Sequence, residues 1–172
     1  MRKRGILVAV AVAATVASVS ASASAATSLR GTFTVHFPKG HAATNAPCPE
    51  QVFCGVGDLA GYGAATISIL EEEFGEVEGS PCLAVARVQQ IDLLDGEGSL
   101  VIGAMGTFCR PGGSEDSRAS PKTYGAPGRW QLTWTVDGSA STGVFAGSSG
   151  SGVEVMDTDG GVGVWHLGGT LG

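Results

Sequence analysis

Basic residues are scarce in this chain of 172 residues. Ten Lys and Arg stand against sixteen Asp and Glu, and three of those ten lie together at positions 2 to 4. The rest of the chain therefore has seven basic and sixteen acidic residues, a net charge of −9. Proteins that bind nucleic acid or anionic membranes need clusters of Lys and Arg on their surface. The composition offers no electrostatic basis for either partner.

Recognisable catalytic and metal-binding motifs are also missing. The chain has no G-K-[ST] phosphate loop, no G-x-S-x-G nucleophile elbow and no H-E-x-x-H spacing. His36, His41 and His166 are scattered, and no C-x-x-C with a nearby His completes a zinc ligand set. We therefore predict no metal site and no cofactor.

Only one apolar run suggests a membrane element. It occupies positions 5 to 19, follows the basic residues and precedes small residues with A-x-A spacing. This order is typical of a secretory signal peptide. A membrane anchor is the alternative, but the run is shorter than the ~20 residues that span a bilayer. We expect cleavage after Ala25, with Ala26 as the second choice, which leaves a secreted single domain over residues 26–172 with no membrane span.

All four cysteines lie beyond the predicted cleavage site. An even number of cysteines in an exported chain indicates disulfides, here two. Of the three possible pairings, we favour Cys48–Cys54 as a small local loop and Cys82–Cys109 across a hairpin.

The stretch from Cys82 to Cys109 carries the strongest local signal. Asp95-Gly96 separates two apolar runs, and this dipeptide favours a two-residue type I′ hairpin turn. Facing residues then have numbers that add to 191, which places Cys82 opposite Cys109. In that alignment the cysteines occupy a hydrogen-bonded position, where the Cα atoms are farther apart, unless a bulge near the turn moves them.

The remaining pattern indicates β-strands, with turns rich in Gly, Pro and Asp. The clearest half-buried strand runs over residues 129–136, where every second residue from Trp130 onward is apolar. The last strand, over residues 162–171, has Trp165 and Leu167 on one face and His166 on the other. Seven or eight short strands without a convincing helix predict an all-β fold, an antiparallel eight-stranded barrel, because closure hides the strand edges.

The segment from Thr142 to Gly152, T-G-V-F-A-G-S-S-G-S-G, resembles the T-G-x-F-x-G-A-x-G-x-G stretch of allene oxide cyclase and dirigent-type barrels. From Gly55 onward the chain is similar to small secreted actinobacterial proteins described as allene oxide cyclase barrel-like. The resemblance implies an eight-stranded barrel with a central cavity. In the plant cyclases that cavity confines an unstable fatty-acid epoxide, and dirigent proteins hold phenolic radicals in a similar way. No local motif aligns with the cyclase catalytic residues, so none is carried over, and a lipocalin-like or streptavidin-like barrel is the alternative.

One strand of the predicted hairpin contains candidate ligand-binding residues. Arg87 and Gln89 share a face with apolar neighbours. If that face points inward, Arg87 needs a partner, because an isolated buried charge is costly, and such a polar pair is typical of a ligand cavity. If it points outward, Arg87 is an ordinary surface residue. Tyr62 and Trp130 are candidate cavity walls, with plain packing as the alternative.

Acidic residues are concentrated between Glu71 and Gly79. A cation site is one interpretation of this run. A solvated loop and strand end is the interpretation that we favour, because charge runs usually face water.

Together these features predict a secreted, disulfide-bonded β-barrel of unknown molecular function that binds a small apolar ligand, if it binds one. One alternative is a cofactor-free cyclase or isomerase acting on a reactive apolar substrate. Another is a structural or interaction protein whose barrel is filled by side chains. A cavity containing Arg87 and Gln89 would separate the first two from the third, and a carboxylate inside it would favour the enzyme. Nothing in the sequence indicates the oligomeric state.

Overall fold

The computed structural model describes residues 26–36, 54–111, 127–159 and 162–172. The predicted signal peptide, Cys48 and His41 lie outside these ranges. Within them, no helix is long and apolar enough to cross a membrane. The described residues form eight strands and a short 3-10 helix: β1 (Thr27–His36), β2 (Cys54–Leu59), β3 (Gly63–Glu76), β4 (Leu83–Leu93), β5 (Ser99–Cys109), β6 (Gly128–Val136), the 3-10 helix (Gly143–Phe145), β7 (Gly150–Asp159) and β8 (Val162–Leu171).

The strands follow each other around a closed barrel. Each strand pairs antiparallel with the next one along the chain, and β8 returns to pair with β1. The closing ladder runs from Thr27 opposite Leu171 to His36 opposite Val162. None of the eight described strands is left with an open edge, which removes the usual site of edge-to-edge aggregation. The predicted all-β class and the antiparallel eight-stranded barrel are confirmed.

Alternating side chains fill the interior of the barrel. In β6, Trp130, Leu132 and Trp134 are buried while the residues between them are exposed, because successive side chains of a strand point to opposite faces. Trp165 and Leu167 of β8 follow the same rule, as predicted. The interior contains one continuous apolar cluster, whose largest fully buried members include Trp134, Trp165, Phe33, Phe145, Leu29 and Ile91.

Strands β4 and β5 form the predicted hairpin, and its register is confirmed, since Leu83 faces Phe108. The predicted two-residue turn is wrong. Leu93 donates its backbone N–H to the Gly98 carbonyl (3.0 Å), and Gly96 donates to the Leu93 carbonyl (3.1 Å), so the loop contains four residues. Gly96 adopts a φ of 81°, a left-handed conformation that glycine reaches without a steric penalty.

The longer loop accounts for the position of the cysteine pair. Because Leu93 and Gly98 form a hydrogen-bonded pair, the alternation along the ladder places Cys82 and Cys109 at a non-hydrogen-bonded position. Facing Cα atoms lie about 4.5 Å apart at such positions. Cys82 and Cys109 form a disulfide with their Cα atoms 4.4 Å apart. Cys54 is also disulfide-bonded, and its predicted partner lies outside the described residues.

The connection between β6 and β7 covers one end of the barrel, which we call the plugged end. Thr142 donates its backbone N–H to the Ser99 carbonyl (2.8 Å), and Phe145 in the 3-10 helix is fully buried. Gly143 has a φ of 58°, and a side chain there would collide with the carbonyl of Glu97. The local structure therefore explains the T-G-x-F pattern, because Gly143 permits the turn that buries the aromatic ring of Phe145 in this end of the barrel. At the opposite end, the disulfide end, the Cys82–Cys109 bridge joins β4 to β5.

The Cys82–Cys109 bridge should contribute strongly to stability. It closes a loop of 27 residues, for which the chain-entropy model gives about 3.5 kcal/mol. We expect the Cys82→Ser/Cys109→Ser variant to lose about 2–4 kcal/mol of unfolding free energy in urea denaturation. Reductant should then lower the stability of the wild-type protein more than that of the variant. Equal midpoints for the two oxidised proteins would contradict this role.

Candidate functional site

Arg87 and Gln89 point into the barrel. They alternate along β4 with residues that face outward, and their side chains are surrounded by the apolar interior, where Arg87 is 3% and Gln89 0% exposed. A guanidinium removed from water in this way needs an opposite charge and hydrogen-bond acceptors nearby. The structure supplies them from two other strands.

Glu154 of β7 is the main partner of both side chains. Its alternation with Met156, which is also buried, turns it toward the interior. The Glu154 Oε1 atom accepts a hydrogen bond from Arg87 Nη2 and another from Gln89 Nε2 at 2.9 Å. Residues 67 and 65 positions apart in sequence are therefore joined across the barrel. A single carboxylate oxygen thus accepts hydrogen bonds from both Arg87 and Gln89.

Two tryptophan rings flank the guanidinium. The Arg87 Cζ atom lies 4.4 Å from the ring centroid of Trp165 and 5.3 Å from that of Trp130. Both distances lie within the range of cation–π attraction, which is worth about 2 kcal/mol when the groups are desolvated. Trp130 also contacts Phe108, with ring centroids 4.4 Å apart, and Phe74 at 5.8 Å. The charged group therefore lies beside an aromatic cluster.

Glu72 of β3 is the second carboxylate beside Arg87. It lies opposite Arg87 in the β3–β4 ladder, its Oε1 atom is 3.6 Å from Arg87 Nη1, and its side chain is only 8% exposed. The favoured prediction of a solvated loop for the acidic run is therefore wrong for Glu72, since β3 continues through it to Glu76. In the described part of the chain, no three His, Cys, Asp or Glu side chains are grouped to hold a metal ion.

Burial raises the pKa of the Glu72 carboxyl above its ordinary value of 4.5, while the Arg87 guanidinium opposes the shift and the Glu154 carboxylate adds to it. The physical cause is the loss of water around a group that must carry charge when it ionises. Glu72 therefore takes up a proton on mild acidification more readily than an ordinary glutamate does.

Several polar atoms of this cluster have no hydrogen-bond partner within the described chain. The Arg87–Glu154 pair is joined at a single point, so Arg87 Nε and Nη1 and Glu154 Oε2 remain unsatisfied, as does Gln89 Oε1. Trp130 Nε1 is a further unsatisfied donor, and Glu72 Oε1 is a further unsatisfied acceptor. Native interiors leave few such groups, and each one requires an explanation. Here donors and acceptors occur together, which is the arrangement that a polar ligand group would satisfy.

The fourth predicted binding residue, Tyr62, lies elsewhere. It belongs to the turn between β2 and β3 at the plugged end, where its ring packs 4.8 Å from that of Phe145. Arg87, Gln89 and Trp130 thus gather in one cluster, whereas Tyr62 supports the plug.

Sequence reasoning missed three members of the cluster: Glu72, Glu154 and Trp165. The sequence did contain a signal for Glu154. This residue shares a strand face with the apolar Met156, and a buried Arg87 requires an acidic partner. Glu72 was hidden by an irregularity between Ile69 and Glu71. Strict alternation from Ile69 would have turned Glu71 inward and Glu72 outward.

His166 takes no part in this cluster. His166 is exposed on the outer wall, with its Nδ1 atom 3.3 Å from Thr32 Oγ1. The ladder places His36 opposite Val162, four residues from His166, a separation of about 13 Å along a strand.

The outer wall also has a depression of about 360 Å³ over β3, β4 and β5. Exposed residues including Glu71, Glu73, Ala86 and Met105 line it, together with Glu72 and Arg87 of the cluster. The Arg87 side chain is itself 0% exposed, so only the backbone of this residue can face the depression. The depression therefore lies on the outer wall, over the strands that carry Glu72 and Arg87.

Comparisons with protein-family models, with curated proteins and with solved structures found no match for this chain. The strand pairing shows an eight-stranded antiparallel barrel. Nothing in the comparisons supports membership of the allene oxide cyclase or dirigent families.

Removing one partner of the buried pair should be more harmful than removing both. Arg87→Met leaves Glu154 buried without its countercharge, a change that typically costs about 3–5 kcal/mol. The Arg87→Met/Glu154→Leu double variant replaces the pair by apolar groups, so we expect its loss in urea denaturation to be clearly smaller. The control is Arg129→Met on the outer wall, whose pair with Asp157 is more than half exposed and is worth at most about 1 kcal/mol. If the double variant loses as much unfolding free energy as Arg87→Met and Glu154→Leu lose together, the two residues are not coupled and this account is contradicted.

Protonation of Glu72 should make stability depend on pH in a defined direction. The pKa of Glu72 is raised in the folded protein, so the folded state binds this proton more tightly than the unfolded state does. The stabilisation from this difference is fully present below the unfolded pKa of about 4.5, and it is lost as pH rises through the raised pKa of the folded protein. The unfolding free energy of Glu72→Gln should therefore increase relative to wild type as pH rises from 4.5 toward 7, as measured by urea denaturation. Glu73→Gln, which changes an exposed neighbour, should run parallel to wild type. Parallel curves for Glu72→Gln as well would show that the carboxyl is not desolvated.

Proposed function

We propose that this protein is an exported barrel that binds one small, largely apolar molecule at the Arg87 cluster. The observation that carries the proposal is the set of unsatisfied donors and acceptors on Arg87, Gln89 and Glu154, buried beside aromatic rings. Ligand pockets characteristically combine apolar walls with a few convergent polar groups. A barrel of eight strands is wide enough to hold one small ligand.

Export is part of the same proposal. The Cys82–Cys109 disulfide is compatible with an oxidising compartment, and the N-terminal pattern of residues 1–25 is that of a signal peptide cleaved after Ala25. The glycine pattern of residues 142–152 supports a relationship to allene oxide cyclase-like and dirigent-like barrels, which confine reactive substrates.

The ligand is proposed to enter from the disulfide end. The opposite end is covered by the plug around Phe145 and Tyr62. Arg87 lies four residues from the start of β4 at the disulfide end and six from its other end, and Trp130 lies two residues from the start of β6. Arg87 and Trp130 are therefore nearer the disulfide end, whereas Gln89 and Glu154 lie near the middle of their strands.

Two other functions each have one observation in their favour. A cofactor-free isomerase is favoured by the inward carboxyls of Glu72 and Glu154, which could move protons in a confined substrate. A structural or interaction role is favoured by the large side chains, such as Trp134 and Phe145, that fill much of the interior.

Native mass spectrometry of the protein purified from its own culture medium tests the proposal. We expect a one-to-one adduct of a small organic molecule on a polypeptide that begins at Ala26. The Arg87→Met/Glu154→Leu double variant, purified in the same way, should lack the adduct, whereas the surface variant Arg129→Met should keep it. A folded wild-type protein without any adduct would contradict ligand binding and favour the filled barrel.

A further inference from the structure

The outer wall around the middle of β6 carries no charge. The outward residues of β5 from Gly103 to Thr107, of β6 from Gln131 to Thr135 and of β7 from Ser151 to Val155 include no Asp, Glu, Lys, Arg or His, and we call them the neutral wall. The chain beyond residue 25, by contrast, has a net charge of −9. Depletion of charged residues distinguishes the core of a protein interface from the rest of a protein surface.

Two apolar side chains project from the neutral wall, one on each side of β6. Met105 of β5 is 68% exposed and Val153 of β7 is 58% exposed, the two highest values for large apolar residues in the part of the chain that the structure describes. Both lie in one row with Thr133, which pairs with Met105 on one side and with Val153 on the other. Covering side chains of this size is favourable, because it removes apolar surface from water.

A depression lies beside each projecting side chain, on the side away from β6. The depression of about 360 Å³ over β3, β4 and β5 borders Met105 and includes the small residue Ala86 in its lining. A second depression, of about 350 Å³, borders Val153 and includes Gly168, which faces Val153 in the β7–β8 ladder. The neutral wall therefore combines two projections with two recesses.

A two-fold axis along β6 makes this wall complementary to itself. With Thr133 on the axis, Met105 of one copy meets Val153 of the other, and each side chain is directed to the depression beside its counterpart. Arg129 and Asp157, which lie 3.6 Å apart at the end of the wall, then alternate with those of the second copy, so that each guanidinium lies between two carboxylates. Self-complementarity of one surface patch is the requirement for a two-fold dimer.

Charge and area decide what kind of partner fits. A wall without charge lets two copies with a net charge of −9 approach each other with no like charges in contact. The wall spans three strands and three outward rows, about 14 Å by about 20 Å or about 300 Å². Stable complexes bury about 800 Å² on each partner, so the contact between two such walls is weak.

We propose that two copies of this protein associate weakly and reversibly through the neutral wall, about a two-fold axis along β6. Met105 of each copy packs against Val153 of the other. The proposal concerns outward residues alone and does not rest on the proposed function.

Sedimentation velocity tests the association. We expect the protein purified from its own culture medium to change from monomer to dimer between about 1 and about 500 µM, the range of weak reversible complexes. A monomer at every concentration, or an oligomer larger than a dimer, would overturn the proposal.

Charge variants test the wall and the axis separately. Met105→Glu/Val153→Glu places acidic groups against each other, so the Kd of the dimer should rise by about tenfold or more. Met105→Lys/Val153→Glu places the introduced lysine of each copy against the introduced glutamate of the other, so the dimer should be retained. The control Leu94→Glu/Val144→Glu adds two acidic groups at exposed apolar positions of the plugged end and should leave the Kd unchanged.

Two results with these variants would contradict the arrangement. If the control weakens the dimer as much as Met105→Glu/Val153→Glu does, net charge and not the neutral wall governs association. If Met105→Lys/Val153→Glu loses the dimer as completely as Met105→Glu/Val153→Glu does, the two-fold axis does not run along β6.

A measurement on the unaltered protein decides the matter if a variant does not fold, as judged by its circular dichroism. Beyond residue 25 the chain contains two methionines, the exposed Met105 and the fully buried Met156. With ¹³C in the methionine methyl groups, we expect the NMR signal of Met105 to shift as the protein concentration rises and that of Met156 to stay in place. A Met105 signal that is independent of concentration would overturn the proposal.

Discussion

The ion pair between Arg87 and Glu154 is the interaction on which the interior depends. It joins β4 to β7 across the barrel, and it is the reason that a guanidinium can lie between Trp130 and Trp165 without contact with water. A buried pair is not in itself a source of net stability, because desolvation offsets much of the Coulomb attraction. The pair instead restricts the strand register, since an inward Arg87 needs its countercharge and so excludes any register in which Glu154 faces outward. The unsatisfied atoms that remain on the pair are the groups that the proposed ligand would satisfy.

The two ends of the barrel are held by different means. At the plugged end, backbone hydrogen bonds and the left-handed Gly143 seat Phe145 in the interior. At the disulfide end, a covalent bridge at a non-hydrogen-bonded pair ties β4 to β5. Arg87 is carried by the bridged strand, so the disulfide also limits how far β4 can move away from the cluster. Stability and site geometry are thus linked through one strand.

Much of the fold follows from local patterns, and most of the site does not. Period-two alternation in β6 and β8 predicted the correct inward faces, and the position of Asp95-Gly96 predicted the correct hairpin register. The turn itself differs from the prediction. A two-residue loop and a four-residue loop around Asp95-Gly96 give the same register, and the Asp-Gly dipeptide favours the shorter loop. Glu72 points inward only because a bulge after Ile69 reverses the alternation. Its position opposite Arg87 follows from the β3–β4 register, whereas the meeting of Arg87 with Glu154 of β7 depends on barrel closure, a long-range constraint that no local pattern contains.

The most direct test of this account is a crystal structure, at a resolution that shows ordered water, of the mature protein purified from its own medium. The account predicts continuous density larger than a water molecule in contact with Glu154 Oε2, Gln89 Oε1 and Arg87 Nη1, with the Arg87–Glu154 pair intact. An interior in which ordered waters alone satisfy these three atoms, or in which Arg87 turns out to solvent, would contradict it.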